Sequence, residues 1–134
     1  EHAAALPHVF NDQDTLSRAK DMLSRVEDRN TSVLVAELDS TVVGVIHLEI
    51  KTEQGGPGEQ PRKWAWILTI DVEQQHRQQG IGQRLMEAGE QWATAKGATH
   101  LEFDVWDFNQ TAIQFYQKLG YRPMSHMMSK ALSE

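Results

Sequence analysis

One stretch, IDVEQQHRQQGIGQRLMEAGEQWATAKG from Ile70 to Gly97, constrains the fold of this chain more than any other. An apolar strand runs into Gly80 and Gly82, and an amphipathic helix follows at once. Glycine at the start of a helix costs backbone entropy, so the pattern indicates that something approaches the main chain closely there. Unpaired N–H groups at a helix start bind anions, and glycine lets a phosphate reach them. The helix face that we expect to be buried carries Ile81, Leu85, Ala88, Trp92 and Ala93.

The composition narrows the class of protein. The 134 residues are the size of one domain, and 40% hydrophobic with 24% charged residues is typical of a globular protein. No apolar run nears the roughly 20 residues that span a bilayer, and no secretion signal marks the start, so we expect no membrane partner. The absence of cysteine excludes disulfides and thiolate chemistry and fits a cytoplasmic location. The net charge of −6 argues against nucleic acid as a partner and slightly favours a cationic substrate.

Signals of helix and strand alternate along the rest of the chain. The predicted elements are a helix over Leu16–Val26, a hairpin turning at Asp39 and Ser40, a loop over Thr52–Arg62, a strand over Trp64–Val72, a helix from Ile81 stopped by Gly97, a strand over His100–Trp106, a helix over Asn109–Leu119 stopped by Gly120, and a last strand over His126–Leu132. Neither a repeat nor a linker divides them. The sequence therefore predicts one α/β domain over residues 1–134. The six histidines lack the spacing of a metal site, so no metal is expected.

The sequence around Gly80 and Gly82 does not match either of two known phosphate-binding motifs. A Walker loop needs GK[ST], whereas Gln83 and Arg84 follow Gly82. The dinucleotide fingerprint GxGxxG needs a third glycine where Leu85 stands. Taken alone, the pair is as compatible with a tight turn as with a phosphate site.

The surrounding residues are more specific. Arg77–Gly82 reads [RQ]xxGxG after a strand that ends at Val72, and NQTAIQFYQKLGY follows from Asn109 to Tyr121. Both segments, in this order, resemble the GNAT superfamily of acetyl-CoA-dependent N-acetyltransferases, over roughly Val33 to Leu132. The resemblance implies a mixed, mostly antiparallel sheet flanked by helices and splayed between its parallel fourth and fifth strands. These strands would be Trp64–Val72 and His100–Trp106, and they would part near Val72 and Val105. The family's usual first strand and helix precede the point at which this sequence begins, so that strand is either missing here or the member is abbreviated.

The resemblance also implies where acetyl-CoA binds and how it reacts. The pyrophosphate would lie on the N–H groups of Gln78 through Gln83 in the glycine loop (Arg77–Gln83). Arg77 and Arg84 would add charge, unless Arg84 is an ordinary surface residue. The pantetheine arm would bond to the strand end, where an N–H group faces the thioester oxygen. Tyr116 would be the general acid for the leaving thiolate, although a tyrosine at helical spacing is also an ordinary core residue. The implied coenzyme-binding residues are Ile70, Asp71, Val72, Arg77, Gln78, Gln79, Gly80, Ile81, Gly82, Gln83, Asn109 and Tyr116.

The general base, the acceptor and the assembly stay open. Candidates for the base are His47, Glu49, Asp71, Glu102, Asp104 or a water chain, and Trp66 stands where histone-modifying relatives have a glutamate. By the resemblance, the acceptor would be a small-molecule or peptide amine in a pocket built by Leu6–Arg29 and Thr52–Lys63. Family members are often dimers, so a homodimer is one option. The rival function is a coenzyme A-binding sensor that does not turn over; intact Asn109 and Tyr116 argue against it.

Overall fold

A single four-stranded sheet organises the chain in the computed structural model, which describes residues 29–133. The strands are β1 (Thr31–Leu38), β2 (Thr41–Glu53), β3 (Arg62–Val72) and β4 (His100–Glu102), and they lie in the order β1-β2-β3-β4. The helices are α1 (Ile81–Ala95) and α2 (Gln110–Lys118), and a short 3-10 turn covers Gln74–His76. β1 and β3 run antiparallel to β2, whereas β4 runs parallel to β3. The predicted mixed sheet with one parallel pair is therefore confirmed.

The first two strands form the predicted hairpin. Its two turn residues, Asp39 and Ser40, both have positive φ, at 50° and 67°. Positive φ at both central positions is the requirement of a type I′ turn, whose twist matches that of the strands on either side. The loop between β2 and β3 is shorter than predicted, because the pairing continues to Glu53 and Arg62.

β3 and β4 part much earlier than the sequence predicts. Only Trp64–Trp66 pairs with His100–Glu102, so the expected strand to Trp106 and the expected parting near Val72 and Val105 are wrong. A β-bulge explains part of the difference: Leu48 faces Ile67 and His47 faces Thr69, which leaves Leu68 as an extra residue that bends β3.

Helix α1 packs on the sheet through small residues as much as large ones. Its buried residues are Ile81, Gly82, Leu85, Met86, Gly89 and Ala93, whereas the predicted Ala88 and Trp92 are only half-buried. A Cβ atom on Gly89 would lie 3.1 Å from Leu48 Cδ2 and 3.2 Å from Ile46 Cδ1. The helix thus sits so close to β2 that a side chain at position 89 has no room, and a search for large apolar residues misses this contact.

Both helices end in the same way. Gly97 and Gly120 follow them with φ of +89° and +100°, as their predicted stop roles require. After α1, the N–H groups of Gly97 and Ala98 donate to the carbonyls of Thr94 and Ala93. After α2, the N–H of Tyr121 donates back to the carbonyl of Tyr116. These Schellman-type bonds satisfy carbonyls that a helix end leaves open.

The predicted last strand is absent. Residues 121–133 belong to no helix or strand, so the expectation of a strand over His126–Leu132 is wrong. A strand needs a neighbour to accept its backbone bonds, and within residues 29–133 none lies beside this segment. The predicted helix over Leu16–Val26 and most of the first acceptor segment fall outside the described residues. Neither described helix is long and apolar enough to cross a bilayer.

The contact between α1 and β2 makes a stability prediction. We expect Gly89→Val to lower the free energy of unfolding by about 1–3 kcal/mol, because the added methyl groups must displace Leu48 and Ile46. Gln91→Val, on the exposed side of the same helix, is the matched control and should cost far less. Urea unfolding followed by circular dichroism measures both. Equal stability of the Gly89 variant and the wild type would contradict this packing.

Candidate functional site

The end of β3 is buried, although nothing pairs with it on the β4 side among the described residues. Ile70 and Asp71 expose none of their surface, and Val72 exposes 1%. Asp71 lies opposite Val45, and Thr69 opposite His47, so these residues share one face of the sheet. We call β3 from Ile67 to Val72, beyond its pairing with β4, the parted edge.

The residue directly after β3, Glu73, carries a buried carboxylate. Glu73 is completely buried, its N–H donates to the carbonyl of Val43 at 2.7 Å, and its Oε1 lies 3.0 Å from Nδ1 of His76. Burying a carboxylate is costly unless polar groups surround it, so these contacts fix the turn that leads into the glycine loop. Sequence reasoning passed over Glu73. The one available signal was an acidic residue directly after an apolar strand.

Arg77 turns back toward the strand. Its Nε donates to the carbonyl of Val72 at 2.8 Å, and its Nη2 is buried with no hydrogen-bond acceptor in the described part of the chain. Burial lowers the pKa of the guanidinium, and the carboxylate of Asp71 acts in the opposite direction. The side chain expected to add charge for a phosphate thus holds the last residue of the parted edge.

The glycine loop has the backbone geometry of an anion site. Gln78 and Gly80 have positive φ, at 65° and 83°, and for Gln78 this is a strained conformation. A Cβ on Gly80 would meet nothing within 4 Å, so glycine is needed there for its φ and not because protein atoms crowd it. No side chain caps α1 at Gly80. Within residues 29–133 the N–H groups of residues 78–83 have no hydrogen-bond acceptor.

These features fit a phosphate ligand. Consecutive N–H groups at the start of a helix supply donors and the positive end of the helix dipole together. The side chains of Gln78, Gln79 and Gln83 are exposed, so the outer side of the loop is open to solvent. The loop residues predicted to bind pyrophosphate are therefore brought together with their backbone donors available.

Tyr116 lies in an aromatic cluster that belongs to the same hydrophobic core as Ile67, Ile70 and Val72 of β3. It is 2% exposed, and its ring centroid lies 4.5 Å from that of Phe103 and 5.1 Å from that of Phe115. Burial raises the pKa of its hydroxyl well above the ordinary value, and Tyr121 and Asp71 add to the effect. The hydroxyl therefore keeps its proton throughout the pH range in which proteins work. Tyr121 is also buried in part, and its hydroxyl donates to Oε2 of Glu90 at 2.5 Å.

Asn109 holds the helix that carries Tyr116. Its Oδ1 accepts the N–H of Ala112 at 3.0 Å, which makes Asn109 the N-cap of α2. Ala112 and Tyr116 are the buried residues of that helix, one turn apart. The cap thus sets the position of Tyr116.

The structure separates the candidates for a general base. Glu102 is paired with Arg62, Glu49 lies 3.7 Å from Lys51, and Asp104 is exposed beyond the end of β4. His47 is half-buried and lies across from Thr69 at the bulge, on the same face as Asp71. Only His47 and Asp71 are therefore placed beside the parted edge. Within residues 29–133 no group of three or more His, Cys, Asp or Glu side chains is arranged to hold a metal.

Comparison with solved structures agrees with this architecture. The tetramutant of the BH1408 protein from Bacillus halodurans superposes with a TM-score of 0.76 and 27% identity, over 84% of this chain and 73% of that one. An aminoglycoside N-acetyltransferase, AAC(6')-Iy, solved in complex with CoA, has the same fold with a TM-score of 0.73 and 18% identity, over 90% of both chains.

Sequence comparison points to the same family. The acetyl transferase GW6a of Oryza sativa subsp. japonica is 36% identical over 112 residues, which is 77% of this chain and 27% of the relative. The chain spans between 27% and 46% of the length of the curated relatives it matches. The model of the acetyltransferase (GNAT) family matches residues 2–121. With its parted parallel strands and its glycine loop, the chain belongs to the GNAT acetyltransferase family.

Proposed function

We propose that this chain is a single N-acetyltransferase domain that moves the acetyl group of acetyl-CoA to a primary amine. The observation that carries the proposal is the junction of two features: an open parted edge runs directly into a loop whose N–H groups are available. The first suits an extended arm and the second suits a pyrophosphate, and acetyl-CoA has both parts in this order. The fold also accepts CoA, as the AAC(6')-Iy complex illustrates for that protein.

The residues divide into two sets by what they would hold. Main-chain donors of the glycine loop would bind the pyrophosphate: Gln78, Gln79, Gly80, Ile81, Gly82 and Gln83. Main-chain groups of Ile70, Asp71 and Val72 would bind the pantetheine arm as an added strand does. Asn109 would act mainly through its cap of α2, because its Oδ1 is already bonded to Ala112.

The parted edge would also stabilise charge in the reaction. When bound, acetyl-CoA supplies the acyl carbon that the amine attacks, and negative charge then grows on the carbonyl oxygen. A backbone N–H of β3 that is fixed in place and sheltered from water contributes about 10²- to 10³-fold to such a rate. The bulge at Leu68 and the bond from Arg77 to Val72 fix this backbone.

Tyr116 would return a proton to the departing sulfur. Its raised pKa keeps the hydroxyl protonated and able to donate a hydrogen bond to the sulfur, although the same shift makes it a weaker acid. Asp71 lies close enough to disfavour the phenolate, so a proton given to the thiolate must be restored quickly from solvent. The amine would lose its own proton through water or through His47, the half-buried candidate on β2 that lies across from Thr69 of the parted edge.

The rival function is a coenzyme A sensor that does not turn over. Intact Asn109 and Tyr116, in the segment that resembles the family, favour the enzyme, because a sensor has no use for a proton donor. Steady-state release of the free thiol from acetyl-CoA, with a panel of small-molecule and peptide amines, decides between them. No release above the rate without amine would leave the sensor as the better account.

Tyr116 makes the sharpest prediction for the reaction. We expect Tyr116→Phe to lower kcat by roughly 10- to 10³-fold, because the ring keeps its packing and only the proton donor is lost. CoA affinity should change by only a few-fold, since one hydrogen bond contributes about 1 kcal/mol. Any alkaline fall of wild-type activity below about pH 10 should survive in the variant, because the raised pKa keeps Tyr116 protonated there.

Tyr121→Phe is the matched control, because it removes a hydroxyl from the same aromatic cluster but breaks only the bond to Glu90. Its kcat should stay near that of the wild type. Unchanged kcat in Tyr116→Phe, under conditions in which chemistry limits the rate, would return Tyr116 to a packing role.

The glycine loop makes a prediction about affinity. Gln79→Glu adds a negative charge beside the proposed pyrophosphate without altering glycine or the main chain, so we expect CoA to bind about 5- to 10-fold more weakly. The loss should shrink as salt rises, because the residue is exposed. Gln91→Glu makes the same change near the far end of α1 and serves as control. Calorimetric titration measures the affinity for CoA. Equal affinities of Gln79→Glu and the wild type would show that the pyrophosphate does not bind at this loop.

A substitution of Arg77 tests whether this residue acts through its charge or through its hydrogen bond to Val72. Arg77→Lys keeps the positive charge but removes the Nε that bonds the carbonyl of Val72. We expect CoA affinity to persist within a few-fold and kcat to fall by about 10- to 100-fold, since a bond from a charged donor contributes roughly 1.5–3 kcal/mol. Arg84→Lys, on the exposed face of α1, should leave both unchanged. Loss of affinity with unchanged kcat would show that Arg77 binds phosphate.

A further inference from the structure

The two faces of the sheet differ in what they offer to an acceptor. Ile67 of β3 packs in one core with Leu85 of α1 and Tyr116 of α2, so the two helices fill that face. Side chains alternate along a strand, and Trp66 therefore points to the opposite face. Glu49 on β2 lies across from Trp66, and both residues are half-buried. We call the face that carries Trp66 and Glu49 the tryptophan face.

The proposed binding mode of acetyl-CoA determines which face the acceptor would use. A thioester oxygen that accepts an N–H of the parted edge lies close to the plane of the sheet, as the carbonyls of an added strand do. An amine attacks the acyl carbon from above or below that plane. Because the helices fill one side, the acceptor would approach across the tryptophan face. Trp66 is the last residue of β3 that pairs with β4, so it lies next to the place of attack.

A cation of the chain itself is bound on this face. Arg62 places its Cζ atom 4.2 Å from the ring centroid of Trp64, and its Nη2 is bonded to a carboxylate oxygen of Glu102. The π face of tryptophan attracts a cation, and the carboxylate supplies the opposite charge. The tryptophan face thus already holds one positive charge between a ring and a glutamate.

Trp66 and Glu49 repeat this pair of groups nearer the parted edge. The two residues lie directly opposite each other, where Cβ atoms are about 4.5–5.5 Å apart. Within residues 29–133 the cation beside Glu49 is Lys51, at 3.7 Å, and its side chain is 43% exposed, so water weakens the pair. No cation of the described residues lies over the ring of Trp66. The ring and the carboxylate can therefore bind a further positive charge.

We propose that Trp66 and Glu49 bind a second positive charge of the acceptor, so that the preferred substrate is a short aliphatic diamine and not a monoamine. The inference rests on the proposed function and names the substrate class of that site. The attacking nitrogen is neutral and lies at the parted edge, whereas the other nitrogen remains an ammonium group on the ring of Trp66. Two residues along a strand span about 7 Å, which a short carbon chain covers.

The charge of the chain and the identity of Trp66 support this assignment. The net charge of −6 attracts a dication more strongly than a monocation. Histone-modifying relatives have a glutamate where Trp66 stands, and the indole of tryptophan cannot accept the proton of an amine. In this chain the position would instead bind the charge that the acceptor keeps.

Two amines with the same carbon chain test the role of the second charge. Wild-type kcat/KM should be at least about 10-fold higher for 1,4-diaminobutane than for butylamine, which carries one charge. Glu49→Gln removes the carboxylate charge and keeps the shape, so KM for the diamine should rise about 5-fold. Its kcat and its KM for butylamine should stay unchanged. Glu53→Gln makes the same change farther along the same face of β2 and is the matched control.

A series at Trp66 tests the ring. Trp66→Phe keeps an aromatic face and should keep most of the preference for the diamine. Trp66→Leu keeps only an apolar side chain and should reduce that preference about 3- to 10-fold. Activity towards butylamine should change less than activity towards the diamine in both variants. Far-ultraviolet circular dichroism checks that both variants fold.

Each contrary result has a separate meaning. A wild type that acetylates both amines equally well would overturn the inference and leave the proposed acetyl transfer intact. A preference that survives in both Glu49→Gln and Trp66→Leu would overturn it as well. So would a fall of kcat with both amines in Glu49→Gln, because Glu49 would then be the general base. No turnover of any amine would refute the proposed function, and the inference falls with it.

Discussion

The early parting of β3 and β4 is the constraint on which the rest of the structure depends. Pairing stops after Trp66 and Glu102, so the backbone of β3 from Ile67 to Val72 has a neighbour on only one side among the described residues. Backbone donors and acceptors that remain unbonded at depth are costly. The molecule keeps this edge because the other side of the strand is firmly held by β2 and by α1. The opening is thus part of the fold.

Several local devices hold that edge in one conformation. The bulge at Leu68 bends the strand, and Arg77 bonds its last carbonyl. Asn109 caps α2 and so sets the position of Tyr116, which packs on Phe103 in the same core as Ile67 and Ile70. Each of these features lowers the stability of the fold, through backbone strain, burial of charge or loss of a hydrogen bond between strands. Such costs are typical of sites that must be organised before a ligand arrives.

Two acidic side chains are buried at the end of β3. Asp71, at the end of β3, and Glu73, directly after the strand, expose none of their surface. Buried carboxylates need polar partners, and here they lie near Arg77 and His76. Burial is the main reason that Tyr116 resists ionisation, and the charge of Asp71 adds to it, which connects the end of β3 with the proton that the proposed reaction needs.

The sequence alone determined the local features and their order, because these depend on residues near one another in the chain. The hairpin at Asp39 and Ser40, the helix stops at Gly97 and Gly120, and the resemblance carried by the glycine loop and the Asn109 segment were all readable. The tertiary structure decided what depends on distant residues. It set the point of parting, the close approach at Gly89, the inward turn of Arg77, the burial of Glu73 and the lack of a last strand. These follow from which strand, ring or carbonyl lies across the fold, and no periodicity along the chain encodes that neighbour.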